Sequence, residues 1–278
     1  MRKHGKRKIL AIVGYVILSI IAFCYIYPVL IVFMNSFKTS SEIRTSSLGL
    51  PENIYLGNYI TAWVKGNFGR AFLNSVVVTG LSLLLIYILN IITAYPFARM
   101  HFKGKKALYF IFLSGIMFPI QMAIIPLFRI ITKMHLVNNP LGLVFVYTAF
   151  SLPMGIMIIS NFLQATPMEL EEAAVMDGCG TMRMLFQIIL PVIKPAVTTV
   201  LIINSINIWN DLLLPIIVLT TKDSKTMPAG LMYFSGQYST QWEFVTAAVV
   251  LISLPMVVFY LIMQKDIVDG LAAGAVKS

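Results

Sequence analysis

Charged residues are scarce in this sequence, and that scarcity excludes most soluble classes. Asp, Glu, Lys and Arg make up 12% of the 278 residues, whereas 58% are hydrophobic and the mean hydropathy is +0.85. A soluble globular domain carries about 25% charged residues. The net charge of +10 does not indicate a nucleic-acid partner, because much of it lies in two short basic clusters beside apolar runs. Clusters in that position are typical of membrane topology signals.

Residues for covalent or metal chemistry are equally scarce. Cys24 and Cys179 provide no disulfide framework and no metal set, so both are expected to be free thiols. His4, His101 and His135 are scattered among predicted loops. The sequence has neither the glycine-rich loop that cradles nucleotide phosphates nor a nucleophilic serine elbow. We therefore predict that the chain is not an enzyme, has no catalytic residues and binds neither metal nor cofactor.

Long apolar runs are what the sequence has instead. Six of them approach or exceed the ~20 residues that a helix needs to cross the hydrocarbon layer. They predict an all-α, polytopic membrane protein. The first run follows a basic segment at residues 1–8 and is too long for the core of a signal peptide, so we predict a retained helix. The predicted spans are 9–34, 71–96, 107–127, 141–163, 195–219 and 243–263.

The distribution of Lys and Arg predicts the orientation of these spans. Of the 21 basic residues, 13 fall on the side of both termini, mostly in short segments, and 8 fall in the longer loops of the other side. Because basic residues favour the cytoplasm, we predict that both termini and the segment 166–191 are cytoplasmic. The loops at 35–70 and 220–242 are then external. The second is either an ordinary loop with interfacial aromatics or a contact surface for a partner or a sugar.

The segment 166–191 carries a concentration of helix signals between two spans. Thr166, Pro167 and Glu169 predict a helix that begins with a capping box. Gly178 and Gly180 are candidate stops for this helix. Thr181 is expected to cap a second short helix that ends at Pro191. A structured helical hairpin outside the hydrocarbon predicts a surface that is offered to a partner.

Polar residues in the fifth predicted span suggest a wet helix face. Asn204, Asn207 and Asp211 follow at helical spacing, with Trp209 and Asn210 beside them. A carboxylate at membrane depth is costly unless it is paired or wetted. The cluster therefore lines a translocation path, or it pairs with a neighbouring helix and holds helices together. Both readings stay open at this point.

The hairpin resembles the EAA signature of permeases of ATP-binding-cassette (ABC) importers. Its elements are Glu-Ala-Ala at 172–174, Asp-Gly at 177–178 and Ile-Ile-Leu-Pro at 188–191. Residues 51–75 and 209–215 resemble the carbohydrate-uptake branch of this family. The C-terminal segment, residues 270–277, resembles that of its maltose-type second permease subunit. The resemblance covers nearly the whole chain.

The resemblance implies a type I ABC importer fold, in which residues 9–278 form one transmembrane domain and 264–278 form a cytoplasmic tail. It implies that the hairpin is a coupling helix that docks in a cleft of the ATPase subunit. It also places the tail in the ATPase dimer interface and the 220–242 loop against a binding protein. The implied coupling residues are Glu172, Ala173, Ala174, Asp177 and Gly178. The implied tail residues are Gly274, Val276 and Lys277, and the path residues are Asn204, Asn207, Trp209, Asn210 and Asp211.

The implied assembly has several partners in a bacterial or archaeal cell membrane. They are a paralogous permease, an ATPase dimer that holds ATP and Mg, an extracytoplasmic sugar-binding protein, a sugar that is expected to be an oligosaccharide, and lipid. Two rival functions stay open. One is an ion-coupled secondary carrier with Asp211 as its coupling residue. The other is a membrane scaffold that transports nothing and binds a different cytoplasmic protein through the hairpin.

Overall fold

The structure is a computed structural model that describes the backbone of residues 2–236 and 240–275 and the side chains of residues 12–236 and 240–265. Over these residues the chain is helical, with an isolated bridge between Ser235 and Thr240 and no strand. The predicted all-α class is confirmed. The helices are α1 (Arg2–Asn35), α2 (Ser40–Thr45), α3 (Gly57–Lys65), α4 (Phe68–Arg99), α5 (Lys105–Ser114), α6 (Ile124–Lys133), α7 (Pro140–Gln164), α8 (Glu169–Met176), α9 (Thr181–Met184), α10 (Leu190–Asn210), α11 (Leu213–Val218), α12 (Met227–Gly230) and α13 (Trp242–Ala275).

The helices include five single candidates for membrane spans and one broken candidate. The single ones are Ile12–Asn35, Phe68–Arg99, Pro140–Gln164, Thr181–Asn210 and Trp242–Lys265. The broken one pairs Lys105–Met117 with Ile120–Lys133 at an angle of 92°. This break falls inside the third run that the sequence predicts as a span. The physical cause is the Phe118-Pro119 step, because proline has no N–H to donate and forces the preceding residue into an extended conformation.

The chain divides into two compact units, of which the first contains the chain up to Phe68 together with Leu231–Leu254. In this unit α3 is anchored to the end of α1, because the Asn58 amide donates to the carbonyls of Ser36 (2.9 Å) and Lys38 (2.8 Å). The Lys38 ammonium is fully buried and donates to the carbonyls of Ser46 and Gly49. These bonds fold the segment after the first span into a compact lobe.

The second unit contains Gly69–Gly230 and the part of α13 that begins at Pro255. Its core is the packing of α7 against the helix that ends in α10, with Leu143, Ile159 and Leu163 buried in the same cluster as Ile189 and Ile193. In lipid, close packing rather than escape from water holds such helices together. The stability of this core therefore depends on how closely the side chains of α7 and α10 fit together.

One proline prediction near the hairpin requires correction. Pro191 does not end a short helix, because α9, a π-helical turn at Leu185–Ile189 and α10 follow one another without a break from Thr181 to Asn210. The π turn is marked by the Leu190 N–H, which donates to the Leu185 carbonyl five residues back. Such a turn changes the hydrogen-bond pattern just before the missing N–H of Pro191, so the helix tolerates the proline.

Candidate functional site

The turn at the end of α8 gives the hairpin a defined shape. Gly178 adopts a left-handed conformation with φ of 76°. The Cys179 N–H donates to the Ala174 carbonyl (3.0 Å), and the Gly178 N–H donates to the Val175 carbonyl (3.0 Å). These two bonds form a Schellman motif, which satisfies carbonyls that a helix end otherwise leaves free. Gly178 thus ends the helix as the sequence predicts.

Substitution of Gly178 is expected to loosen this turn. In Gly178→Ala the added methyl group meets no atom, so the cost comes only from the left-handed backbone, about 1–2 kcal/mol. Hydrogen exchange of the hairpin amides in detergent should accelerate by roughly 5–30-fold, since 1.4 kcal/mol is about a factor of ten.

Gly180 provides the matched control, because a methyl group there also meets no atom, while its φ of −69° suits any residue. Gly180→Ala should leave the exchange rates unchanged, and Gly178→Asn should be milder than Gly178→Ala. Equal rates for the two alanine variants would contradict the assigned role of Gly178.

The predicted capping box at the start of α8 is absent. The Thr166 hydroxyl donates to the Phe162 carbonyl (3.0 Å), so it belongs to the last turn of α7. The helix begins instead at Glu169, and the N–H groups of Glu171 and Glu172 reach the Met168 carbonyl. The Thr166 hydroxyl lies between the end of α7 and the start of α8 and could bond to the backbone of either helix. The sequence pattern does not show which of the two bonds forms.

The hairpin exposes most of the coupling residues that the resemblance implies. Glu172, Ala173, Asp177 and Gly178 are exposed, whereas Ala174 is buried with the core of the second unit. Met176, between them, is 87% exposed. The tip of the hairpin therefore combines carboxylates with an apolar side chain, a composition that suits a protein interface.

Glu171 is the hairpin residue that sequence reasoning missed. It is buried, and its carboxylate bonds the Arg99 guanidinium (2.6 Å) and accepts from the Tyr95 hydroxyl (3.0 Å). The sequence carries no signal that separates Glu171 from Glu172, because a helix start favours both and the burial of Ala174, on the same face as Glu171, is known only from the structure. In the sequence, Arg99 is one of the basic residues that predict the cytoplasmic side, and nothing marks it as a partner of Glu171.

A polar cavity of about 630 Å³ lies beside the end of α10. The helix ends at Asn210, and Asp211 is extended, so Asp211 does not share a helix face with Asn204 and Asn207 as the spacing predicts. The break nevertheless leaves Asp211 on the same cavity. The lining residues are Ile120, Gln121, Tyr147, Phe150, Ser151, Met154, Asn204, Ile206, Asn207, Ile208, Asn210 and Asp211.

Hydrogen bonds fix the polar groups of this cavity. The Asp211 carboxylate accepts from the Tyr147 hydroxyl (2.7 Å) and from the Leu213 N–H (3.0 Å). The Ser151 hydroxyl donates to the Asn204 side chain, which donates in turn to the backbone of its own helix. Paired in this way, Asp211 is available as an oriented acceptor for a hydroxyl-rich ligand.

Four other predicted site residues lie away from these features or beyond what is described. Trp209 is buried and packs edge-on against Phe72 (6.1 Å between ring centroids), so it does not line the cavity. Gly274 lies near the end of α13. Val276 and Lys277 fall outside the described residues. Among the residues that the structure describes, no group of three His, Cys, Asp or Glu side chains is placed to hold a metal.

The loop at 220–230 is held by polar side chains from two distant segments. The Asn138 side chain accepts from the N–H groups of Thr220 (2.6 Å) and Thr221 (3.0 Å). The Asn74 side chain at the start of α4 donates to the carbonyls of Asp223 and Lys225. Hydrogen bonds from these two side chains therefore give the loop a defined conformation.

Residues 87–270, more than half of the chain, match the family model described as "Binding-protein-dependent transport system inner membrane component". The chain is similar to the probable starch degradation products transport system permease protein AmyC of Thermoanaerobacterium thermosulfurigenes, at 37% identity over the whole of both chains. It is also similar to the melibiose/raffinose/stachyose import permease protein MelC of Bacillus subtilis, at 33% identity over 93% of this chain and 94% of that protein.

The fold also has a solved counterpart. One chain of the crystal structure of a bacterial ABC transporter involved in the import of the acidic polysaccharide alginate superposes with a TM-score of 0.80. That alignment covers 93% of this chain and 96% of the other at 22% identity. The expected ABC importer permease fold is thus confirmed.

Proposed function

Because the chain belongs to the family of binding-protein-dependent transport system inner membrane components, we propose that it imports an oligosaccharide by alternating access driven by partner ATPase subunits. It is a permease of the carbohydrate-uptake branch. The observation that carries the coupling proposal is the α8 hairpin. Its Schellman turn and exposed Glu172 fit a lever that docks on another protein.

The chemistry of the cavity supports an uncharged sugar as the cargo. Amides, hydroxyls and one carboxylate line it, and no Lys, Arg or His of the described residues does so. An acidic sugar would face Asp211 without a cation to pair with. Relatives named for starch products and for melibiose, raffinose and stachyose agree with this choice. The partner permease supplies the other wall of the path.

The complete transporter contains several other proteins. A paralogous permease pairs with this chain, and two copies of an ATP-binding-cassette subunit hold ATP and Mg and dock on the hairpins. An extracytoplasmic sugar-binding protein delivers the cargo to the 220–242 loop, of which residues 220–230 are held by Asn138 and Asn74. Both termini lie in the cytoplasm of a bacterial or archaeal cell, and the tail around Gly274 reaches the ATPase dimer.

Transport assays with purified components test this proposal against a self-sufficient carrier. The chain and its partner permease are reconstituted in liposomes with internal ATP and the binding protein, with and without the ATPase subunit. Labelled maltodextrin and raffinose serve as probes. We expect uptake of at least one probe only when the ATPase is present. Uptake that an ion gradient drives without the ATPase contradicts the proposal, and so does a complete complex that hydrolyses ATP and moves neither sugar.

A further inference from the structure

The end of α4 is clamped to the start of the hairpin by a buried ionic cluster. Glu171 is 5% exposed, and each of its two oxygens has a partner on α4. One is 2.6 Å from the Arg99 guanidinium and the other is 3.0 Å from the Tyr95 hydroxyl. The same guanidinium donates to the Thr166 carbonyl (2.9 Å), so Arg99 holds both α8 and the segment that leads into it.

The position of this cluster is mechanically suitable. Pro96 lies between Tyr95 and Arg99, and a proline weakens the turn of helix that it ends. The hydrogen bond that Pro96 lacks would reach back to Ile92. Glu171 bonds Tyr95 and Arg99, so it ties α4 to α8 immediately after the weakened turn. Ion pairs of this kind are directional and short, so they fix two helices in one register, which apolar contacts alone do less well. The other α8 carboxylates, on Glu169 and Glu172, are exposed.

The opposite end of α4 is fixed to the 220–230 loop. The Asn74 side chain donates to the carbonyls of Asp223 (2.8 Å) and Lys225 (3.0 Å). The Ser75 hydroxyl accepts from the Met227 N–H (2.9 Å). The helix between Ser75 and Arg99 is ~36 Å long at about 1.5 Å per residue, so it extends across the hydrocarbon layer.

We propose that α4 is the rod that couples the hairpin to the 220–230 loop, with Arg99, Glu171 and Tyr95 as its joint at one end and Asn74 and Ser75 as its joint at the other. Displacement of α8 by the ATPase moves the loop, and a binding protein that engages the loop biases α8 in return. This reciprocity follows from thermodynamic linkage. The proposal rests on the proposed function, and its residues are positioning residues that do not touch the sugar.

The test measures sugar molecules transported per ATP hydrolysed in the reconstituted complex. Glu171→Gln breaks the joint that Arg99, Glu171 and Tyr95 form. It should lower this ratio at least ~10-fold while ATP hydrolysis continues, because removal of one partner of a buried ionic contact is costly. The double exchange Arg99→Glu with Glu171→Arg should restore at least about a third of the ratio. Glu169→Gln, which removes an exposed charge from the same helix, is the matched control and should leave the ratio unchanged.

The double-mutant cycle distinguishes a rod from two independent structural sites. Asn74→Ala alone should also lower the ratio ~10-fold and should weaken stimulation of ATP hydrolysis by the binding protein. Sites this far apart normally act additively. Independent roles therefore predict a ~100-fold loss of the ratio in the double variant that combines Glu171→Gln with Asn74→Ala. A rod that is already released at one end predicts only ~10-fold.

The outcomes separate the two proposals. If the wild-type complex shows no ATP-dependent uptake, the proposed function fails. If it transports, then an unchanged ratio in Glu171→Gln or an additive double variant overturns the rod. If Glu171→Gln does not assemble, the double exchange Arg99→Glu with Glu171→Arg and the variant Asn74→Ala provide the test. The rod is refuted if the double exchange assembles but does not couple ATP hydrolysis to transport. It is also refuted if the losses of the double exchange and of Asn74→Ala are additive when they are combined.

Discussion

Glu172→Lys is expected to abolish ATP-driven sugar uptake while the chain still inserts normally into the membrane. Glu172 is exposed near the tip of the hairpin, where the resemblance places the ATPase cleft. We expect Glu172 to meet a basic group on the ATPase, as suits a carboxylate exposed at a docking surface. A lysine there would replace this attraction by charge repulsion, which weakens and misdirects docking. We expect uptake to fall at least ~100-fold, and co-purification of the ATPase or its stimulation by sugar to be lost with it.

Two control variants make this result specific. Glu172→Gln removes the charge without reversing it, so its loss should be smaller. Glu52→Lys makes the same charge reversal in the exposed segment between the first two spans, which the basic residues place outside the cell. It should leave ATPase binding intact. Sugar-stimulated ATP hydrolysis and uptake at wild-type levels in Glu172→Lys would refute the assignment of the hairpin as the coupling helix.

Replacement of Asp211 should separate the importer from the ion-coupled carrier. In Asp211→Leu the Tyr147 hydroxyl and the Leu213 N–H lose their shared acceptor, and the cavity loses its carboxylate. A polar group left unsatisfied costs about 1–3 kcal/mol, so we expect ATP-driven uptake to fall roughly 10–100-fold. Assembly with the ATPase should not change, because Asp211 follows the far end of the 30-residue helix Thr181–Asn210, about 45 Å from the hairpin at 1.5 Å per residue.

Asp211→Asn is the discriminating variant. Its amide oxygen can still accept from the Leu213 N–H, and its NH2 group can donate to the Tyr147 hydroxyl oxygen, so an ATP-driven importer should keep at least about a third of its uptake. A carrier that uses Asp211 to bind and release an ion or proton should lose coupled transport completely, because an amide does not titrate. Tyr147→Phe removes one of the two donors and should fall between the wild type and Asp211→Leu. Gradient-driven uptake by the wild type that is lost completely in Asp211→Asn favours the carrier.

The polar cavity shows where pattern reasoning succeeds and where it stops. The spacing of Asn204, Asn207 and Asp211 correctly singled out a polar cluster, because polar groups within an apolar run stand out in the sequence. It assigned them to one continuous helix, however, and the helix ends at Asn210. The local sequence does not show that Tyr147, 64 residues away, supplies the partner that holds Asp211 in an extended conformation.

In the hairpin, too, one feature was predictable from the sequence and another was not. The left-handed turn at Gly178 was predictable, because glycine is the residue that adopts it without strain. The two adjacent glutamates were not distinguishable, since a helix start favours both equally. Only the position of Arg99 at the end of α4 decides that Glu171 is buried in an ion pair while Glu172 is exposed.

By itself the sequence determined the all-α class, the apolar runs that are long enough to span a membrane, the hairpin and the family. These follow from composition, periodicity and spaced motifs, which are local properties of the chain. Tertiary structure decided which polar groups are paired and which are presented. It broke the third span at Pro119, carried a helix through Pro191 and joined α4 to α8 through Arg99 and Glu171. The reason is that pairing depends on which helices meet, and residues 72 positions apart carry no local sign of their contact.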